Sequence, residues 1–276
     1  MTENYLNATY GVQIPKIIYG TAWKKCSTAS FVEQAIKQGF RGIDTACQPK
    51  HYNEAGVGDG LYKGVERNEL YLQTKFTPLN GQDPLQIPYD PKASLGEQIA
   101  QSFQTSLKNL RTVYLDCLIL HSPLGSHHLT LEAWRAMEQL FHANGVRQLG
   151  ISNCYDLAQL EQLYQDATIK PAVIQNRFYA TTDYDRTIRN FCRQHQIVYQ
   201  SFWTLTANPH VLAHSTLQSL ATKYQKSTAQ IFFRFLNQID IVPLTGTTSE
   251  THMREDLAIF DFELTDQECT AIEKLL

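Results

Sequence analysis

Short apolar runs alternate with longer amphipathic stretches from one end of the chain to the other. The apolar runs are typical of strands, and eight of them occur: 17–22, 41–46, 70–76, 114–121, 146–152, 172–178, 197–202 and 239–245. The amphipathic stretches repeat their apolar residues about every 3.6 positions, which predicts helices. They are residues 30–39, 94–110, 131–143, 156–164, 185–194 and 215–235, with a last one at 264–276.

Strands that are separated by helices pair in parallel, because a hairpin joins only antiparallel neighbours. The near-continuous apolar run at 115–120 fits a strand that is buried on both faces. Eight such units close into an α/β fold, the (β/α)8 TIM barrel. A doubly wound open sheet would carry Gly-x-Gly-x-x-Gly after its first strand, and Gly56, Gly58 and Gly60 have the wrong spacing. No linker divides the chain, so we expect one domain over residues 1–276.

Composition narrows the class of protein. The 276 residues carry 24 basic and 27 acidic side chains, a balance that gives no field to attract nucleic acid or an anionic membrane. No apolar run approaches the ~20 residues of a membrane span, and the first residues lack a signal-peptide pattern. The six cysteines are scattered without a Cys-x-x-Cys pair, which favours reduced thiols, and no metal-binding motif occurs. We therefore expect a cytoplasmic protein with no metal, membrane or nucleic-acid partner.

Polar residues follow five successive strand candidates at the same end. Asp44, Lys75 and His121 end the second, third and fourth candidates, and Ser152, Asn153 and Gln175 end the next two. In a TIM barrel the chemistry gathers at the carboxyl ends of the strands. A buried charge needs a partner, and Asp44 and Lys75 form the obvious pair on adjacent strands.

These residues lie in segments that resemble the aldo-keto reductases over essentially the full chain. The resembling segments are 39–46, 72–76, 116–123, 145–153, 171–175 and 254–264, in the family's order and spacing. The family's fold is the barrel argued above, and its activity is NAD(P)H-dependent reduction of aldehydes and ketones by hydride transfer. The resemblance therefore implies NADP(H) as cofactor, NAD(H) as the alternative, and a small aldehyde or ketone as substrate.

The resemblance also implies a catalytic set of Asp, Tyr, Lys and His. Asp44, Lys75 and His121 match it directly, but the usual tyrosine position reads Pro49 or His51, depending on which side is aligned. Tyr52 is our choice as the general acid, and His51 is the rival. Lys75, held by Asp44, is expected to lower the pKa of the Tyr52 phenol, which is ordinarily near ~10.

The substrate is expected to lie against Trp23, Tyr52 and His121, with His121 orienting the carbonyl by a hydrogen bond. The loop that follows His121 is short. Because the last helical pattern also runs to residue 276, we expect an open, permissive pocket in a monomer.

Cofactor contacts are also implied by the resemblance. Ser152, Asn153 and Gln175 would hold the nicotinamide carboxamide, whose donors and acceptor suit these side chains. Phe202 takes the place of the family's stacking tyrosine, and Trp203 replaces a small serine. Further implied contacts come from Thr21, Lys24, Asp44, Thr204 and Leu205. Lys24 would contact the pyrophosphate, or else be a solvated surface lysine.

The site for the cofactor's 2′-phosphate departs from the family pattern. The position of the usual lysine reads Gly246 and that of the usual arginine reads His252. Hydroxyl groups remain at the start of the last barrel helix, where backbone N–H groups favour phosphate. The residues carried over here are Gly246, Thr247, Thr248, Ser249, His252, Glu255 and Asp256. NADPH is expected, with weaker selectivity than is usual in the family.

Three classes of function compete. The first is a carbonyl reductase, and the second is a regulatory protein of the same fold that senses the cofactor with little turnover. The third is an unrelated barrel, a hydrolase or an aldolase that forms a Schiff base on Lys75. Serine hydrolysis is disfavoured because Gly150 and Ser152 are followed by Asn153 and Cys154, not by the Gly-x-Ser-x-Gly motif.

Overall fold

A short antiparallel hairpin precedes a closed ring of parallel strands in the computed structural model, which describes residues 4–276. The hairpin pairs β1 (Tyr5–Asn7) with β2 (Gln13–Pro15). The ring consists of β3 (Ile18–Gly20), β4 (Gly42–Asp44), β5 (Tyr71–Phe76), β6 (Cys117–Leu120), β7 (Leu149–Ser152), β8 (Val173–Arg177), β9 (Val198–Phe202) and β10 (Ile241–Thr245). Each strand pairs with the next one, and β10 pairs with β3. The predicted (β/α)8 TIM barrel in a single domain is confirmed.

Helices fill the connections between the strands. They are α1 (Thr28–Gln38), α2 (Glu54–Leu61), α3 (Leu95–Leu110), α4 (His127–His142), α5 (Leu157–Asp166), α6 (Arg186–Gln194), α7 (Pro209–Leu212), α8 (Ser215–Tyr224), α9 (Thr228–Gln238), α10 (Glu250–Leu257) and α11 (Asp266–Glu273). Their ends follow local sequence: Ser94 and Glu97 form a capping box at the start of α3, and Gly39 ends α1 with φ +119°. No helix among residues 4–276 has both the length and the apolar character needed to cross a bilayer.

Several features differ from the sequence-based expectation, in which α2 and α7 were not among the predicted helices. The predicted helix 215–235 is wrong as one unit, because Gln225 adopts φ 53° and ends α8, and Ser227 then caps α9. The last helix ends at Glu273 and does not continue to residue 276. The hairpin of β1 and β2 was not predicted, because two strands of three residues leave little periodic pattern.

The interior of the barrel is unusually polar. Gln73 on β5 and Gln200 on β9 are fully buried, and their amides exchange hydrogen bonds of 2.8 and 3.0 Å. The Tyr71 hydroxyl donates to Gln73 Oε1 at 2.9 Å. β5 and β9 are not neighbours in the ring, so these bonds cross the barrel. TIM-barrel interiors are dominated by branched apolar residues, so this polar layer departs from the general pattern.

Candidate active site

A buried ion pair lies at the carboxyl ends of β4 and β5. Lys75 Nζ donates to both carboxylate oxygens of Asp44 at 2.7 Å and to the Thr45 carbonyl at 2.8 Å. Lys75 is 1% exposed, and this burial lowers its pKa, an effect that the neighbouring Asp44 carboxylate opposes. Because the ammonium has three N–H groups, these three acceptors satisfy it completely.

Two glutamines also bind the Asp44 carboxylate. Gln73 Nε2 and Gln175 Nε2 donate to Asp44 Oδ1 at 2.7 and 2.9 Å, and both amides also bond Gln200 Oε1. The carboxylate is thus fixed by N–H groups from β5 and β8 before any ligand is considered. No role was predicted from the sequence for Gln73 or Gln200, although a glutamine inside an apolar strand is a signal that could have identified them.

Tyr52, and not His51, lies beside the ion pair. Both residues follow β4 in a tight turn, where their backbone N–H groups donate to the Gln48 carbonyl at 3.0 Å. The Tyr52 ring centroid is 5.3 Å from Lys75 Nζ and 6.2 Å from the His121 ring. The His51 ring instead packs against Trp23, with the ring centroids 4.0 Å apart, and Trp23 is 57% exposed at the mouth.

The pKa of Tyr52 differs from the expectation. Burial and the Asp44 carboxylate raise it, so the lowering predicted from Lys75 is wrong for this site. Burial is the larger cause, and the negative charge of Asp44, the carboxylate that also holds Lys75, adds to it. Tyr52 therefore holds its proton throughout the ordinary pH range.

His121 follows β6 and is neutral. Burial lowers its pKa to about 3, and the nearby Lys75 charge adds to this effect. Its Nδ1 lies 2.6 Å from the Thr77 hydroxyl oxygen, which has no other hydrogen-bond partner within residues 4–276. The sequence analysis did not single out Thr77, which follows β5 by one residue.

The three residues expected to hold the carboxamide come together on β7 and β8. Ser152 Oγ donates to the Gln175 carbonyl at 2.6 Å, and Asn153 Nδ2 donates to the His121 carbonyl at 2.8 Å. Asn153 adopts φ 52°, which turns the chain at the end of β7. Phe202 ends the neighbouring β9 and is half-buried, and Trp203 beyond it is 50% exposed.

Lys24 is buried beside the loop before α10, which was expected to bind the cofactor's 2′-phosphate and has no lysine of its own. Its Nζ donates to the Gly246 carbonyl at 2.8 Å and lies over the Tyr19 ring, 5.0 Å from the centroid. Burial lowers its pKa to about 8. The interpretation of Lys24 as a solvated surface lysine is therefore wrong. The Lys24 ammonium, which follows β3, therefore lies next to Gly246. The resemblance implies that a lysine is usual at the position of Gly246.

The start of α10 exposes hydroxyl groups. Ser249 caps the helix, since its Oγ accepts from the His252 backbone N–H at 3.4 Å, and Thr247 Oγ1 accepts from Ser249 N at 3.1 Å. Thr248 and His252 are exposed beside them. Gly246 is exposed as well, and Glu255 is half-buried one turn along the helix.

The remaining predicted cofactor residues are engaged within the protein. The Thr21 hydroxyl donates to the Asp44 carbonyl at 2.9 Å, and that of Thr204 donates to Ser201 Oγ at 2.9 Å. Leu205 packs against the core. Asp256 is buried and accepts from the Thr245 hydroxyl at 2.7 Å, and burial raises its pKa to about 7.

Comparisons with a family model and with known proteins agree on one family. The family model described as Aldo/keto reductase family matches residues 16–276. Glyoxal reductase of Bacillus subtilis is 32% identical over 245 residues, which cover 88% of this chain and 82% of the relative. An NADPH-dependent alpha-keto amide reductase of Saccharomyces cerevisiae is 27% identical over 298 residues, covering 99% of this chain and 91% of the relative.

The similarity extends to three dimensions. An aldo/keto reductase structure from Brucella melitensis matches with a TM-score of 0.84 and 31% identity, and the match covers 99% of each chain. The shared part therefore includes the whole barrel and the loops at its mouth.

Proposed function

The chain belongs to the aldo-keto reductase family, and we propose that it reduces small aldehydes and ketones to alcohols with NADPH as the hydride donor. The observation that carries this proposal is the position of the Tyr52 phenol, next to Lys75 and His121 and above the buried Asp44. No relative's substrate is needed for this argument, because a proton donor beside a buried cation is the chemistry that carbonyl reduction requires.

The side chains present fit a nicotinamide dinucleotide. Ser152, Asn153 and Gln175 offer hydroxyl and amide groups for a carboxamide, and the half-exposed Phe202 offers a ring face. The buried Lys24 ammonium and the hydroxyls before α10 suit phosphate oxygens. When bound, the reduced nicotinamide supplies the hydride that the carbonyl carbon accepts.

Tyr52 gives its proton to the carbonyl oxygen as negative charge develops there. A phenol with a raised pKa is fully protonated at neutral pH, so Tyr52 has a proton to donate in every turnover. Lys75 Nζ, 5.3 Å from the ring centroid, stabilises the phenolate that the transfer leaves behind. Asp44 holds this ammonium in place through two bonds of 2.7 Å, so no reorganisation is needed at the moment of reaction.

His121 orients the carbonyl as a neutral donor. We assign the 2.6 Å contact as the Thr77 hydroxyl donating to His121 Nδ1, which leaves the ring proton on Nε2. With its pKa lowered to about 3, the imidazole does not compete with Tyr52 as the acid. Its Nε2–H then hydrogen-bonds the substrate oxygen and fixes the carbonyl plane.

The identity of the acid is tested with two single variants. We expect Tyr52→Phe to lower kcat for 4-nitrobenzaldehyde by at least about 10²-fold, the typical contribution of a positioned acid. NADPH binding, measured by calorimetry, should stay within about twofold, because the phenol contacts no predicted phosphate residue. His51→Ala should keep most of the turnover, since its ring packs against Trp23. Loss of turnover in His51→Ala with an active Tyr52→Phe would overturn the assignment.

The cofactor choice rests on the position of Lys24 beside Gly246, in the loop expected to bind the 2′-phosphate, and not on the pyrophosphate contact expected from the sequence. We expect kcat/KM to be higher with NADPH than with NADH, and Lys24→Met to raise the KM for NADPH by about tenfold, since a charge-assisted bond to phosphate is lost. The control is Lys25→Met, because Lys25 is exposed and its side chain makes no hydrogen bond within residues 4–276. A clear preference of the unmodified protein for NADH would contradict this part of the proposal. NADPH binding without turnover of any aldehyde would instead support the regulatory alternative.

A further inference from the structure

Arg177 lies at the mouth of the barrel with its guanidinium against two aromatic rings. It is the last residue of β8, and its register partner on β9 is Phe202. The guanidinium carbon is 4.5 Å from the Tyr179 ring centroid and 4.6 Å from that of Trp203. Aromatic rings at this distance attract the cation and hold its plane in one orientation.

The side-chain N–H groups of Arg177 have no acceptor within residues 4–276, although its backbone N–H donates to the Tyr155 hydroxyl at 3.1 Å. Its Nε is buried without a hydrogen-bond partner, and no carboxylate of the described residues forms an ion pair with the side chain. A buried donor without an acceptor is costly, and native proteins rarely leave one in this state. This side chain therefore differs from an ordinary solvated surface arginine.

Two other arginines in the chain lie over an aromatic ring and also have a carboxylate as acceptor. Arg67 and Arg147 lie over the Tyr114 ring, with guanidinium carbons 3.9 and 4.2 Å from its centroid. Each of them also bonds the Asp116 carboxylate, at 2.8 and 3.0 Å. Arg177 has the aromatic support that these two have and lacks their anionic acceptor.

We propose that Arg177 is an anion-binding residue of the barrel mouth, which pairs with the oxygens of a carboxylate or phosphate group on a bound ligand. Tyr179 and Trp203 lie against the guanidinium, no described residue accepts from its side-chain N–H groups, and a planar guanidinium fits two oxygens at once. The inference rests on the proposed function for the place of the ligand, since Phe202 beside it is the proposed stacking ring. It adds a residue that the sequence comparison with the family did not assign.

Two ligands could supply the oxygens: a phosphate of the dinucleotide, or the carboxylate of a substrate that carries both a carbonyl and an acid group. Arg177→Met tests them in two arms, because methionine keeps an apolar stem beside the rings and removes the charge. The control is Arg193→Met, which removes the same charge from the exposed face of α6.

The first arm is calorimetric titration with NADPH, which needs no turnover. The second arm compares 4-carboxybenzaldehyde with 4-methylbenzaldehyde, titrated into the protein in the presence of NADP⁺ and also assayed for reduction with NADPH. We expect Arg177→Met to weaken binding by about tenfold or more in one arm, the effect of losing a bidentate charge-assisted pair. Arg193→Met should stay within about twofold in both arms.

The arm that responds identifies the source of the anion. A loss confined to NADPH assigns the phosphate, and a loss confined to the carboxylated aldehyde assigns the substrate. Arg177→Lys should recover only part of the loss, because an ammonium lacks the planar fork. If Arg177→Met does not fold, Arg177→Gln is measured in the same arms. Binding within twofold of the unmodified protein in both arms overturns the proposal. Binding that depends on Arg177 without any reduction would overturn the proposed function and leave the anion site standing.

Discussion

The two sides of the barrel mouth differ in how their polar groups are bonded. Below Tyr52, the Asp44 carboxylate accepts from Lys75, Gln73 and Gln175 over 2.7 to 2.9 Å. Toward β9 and β10, Trp203 is half exposed and Arg177 has no acceptor among the described residues. One side is a network that is complete without a ligand, and the other side offers groups that a ligand can bind.

This difference separates chemistry from recognition. Groups that are already held in place lower the barrier without reorganisation, so changes there are expected in kcat. Groups that find their partner on a ligand contribute to affinity, so changes there are expected in KM and in dissociation constants. Of the three substitutions below, those of Lys75 and Gln73 test the bonded side through kcat, and that of Asp256 tests a buried carboxyl group near β10 through stability. They are ordered from the largest expected effect to the smallest.

Lys75→Met should have the largest effect. It removes the cation beside Tyr52 and leaves Asp44 buried without its counter-ion, so we expect kcat to fall by about 10³-fold or more. The free energy of unfolding, measured with urea, should fall by about 3 kcal/mol, as expected when one member of a buried pair is removed. The double variant Asp44→Asn with Lys75→Met should recover stability but not activity. Recovered activity would contradict the proposed role of the ammonium.

Asp256→Asn tests a buried carboxyl group on α10. Within the described residues, the Thr245 hydroxyl is the only hydrogen-bond donor to Asp256. Its pKa rises in the folded protein from 3.8 to about 7, so folding favours the protonated form. The ionised carboxylate therefore destabilises the fold increasingly as pH rises through this range, and the cost is complete above pH 7. We expect the variant to be more stable at pH 8 by about 4 kcal/mol, the free energy that corresponds to this rise in pKa, with little difference near pH 3.5. Equal urea unfolding curves at both pH values would contradict this account of Asp256.

Gln73→Leu should give the smallest effect of the three. It removes one charge-assisted bond to Asp44, so we expect kcat to fall about tenfold with the KM for NADPH unchanged. Gln148→Leu is the matched control, because Gln148 is equally buried but bonds Tyr71 and not Asp44. A similar fall of kcat in both variants would show that the effect comes from packing and not from the carboxylate.

Local pattern predicted the architecture well and the long-range contacts poorly. Each of the eight predicted strands contains the observed one, because apolar runs between turns are a local signal. Gln73 and Gln200 are 127 positions apart, and only closure of the ring brings them together. The choice between His51 and Tyr52 likewise depends on the turn at Gln48, whose geometry cannot be read from spacing.

The same limit explains why the pKa values of Lys24 and Lys75 could not be predicted from the sequence. Both were identified as charged residues near strand ends, but their pKa values depend on burial that no local pattern reports. Lys75 is paired with a carboxylate, whereas Lys24 rests on a carbonyl and an aromatic ring. The residue types were visible in the sequence, and their electrostatic states were not.

The placement of the tryptophans has an optical consequence. The chain has three, and Trp23 and Trp203 are 57% and 50% exposed at the mouth, while Trp134 is fully buried with its Nε1 bonded to the Ile169 carbonyl at 2.9 Å. Exposed indoles emit at longer wavelengths than buried ones. The red part of the protein's fluorescence therefore originates at the mouth, where a ligand would quench it, and the blue part from Trp134 serves as an internal reference in the same spectrum.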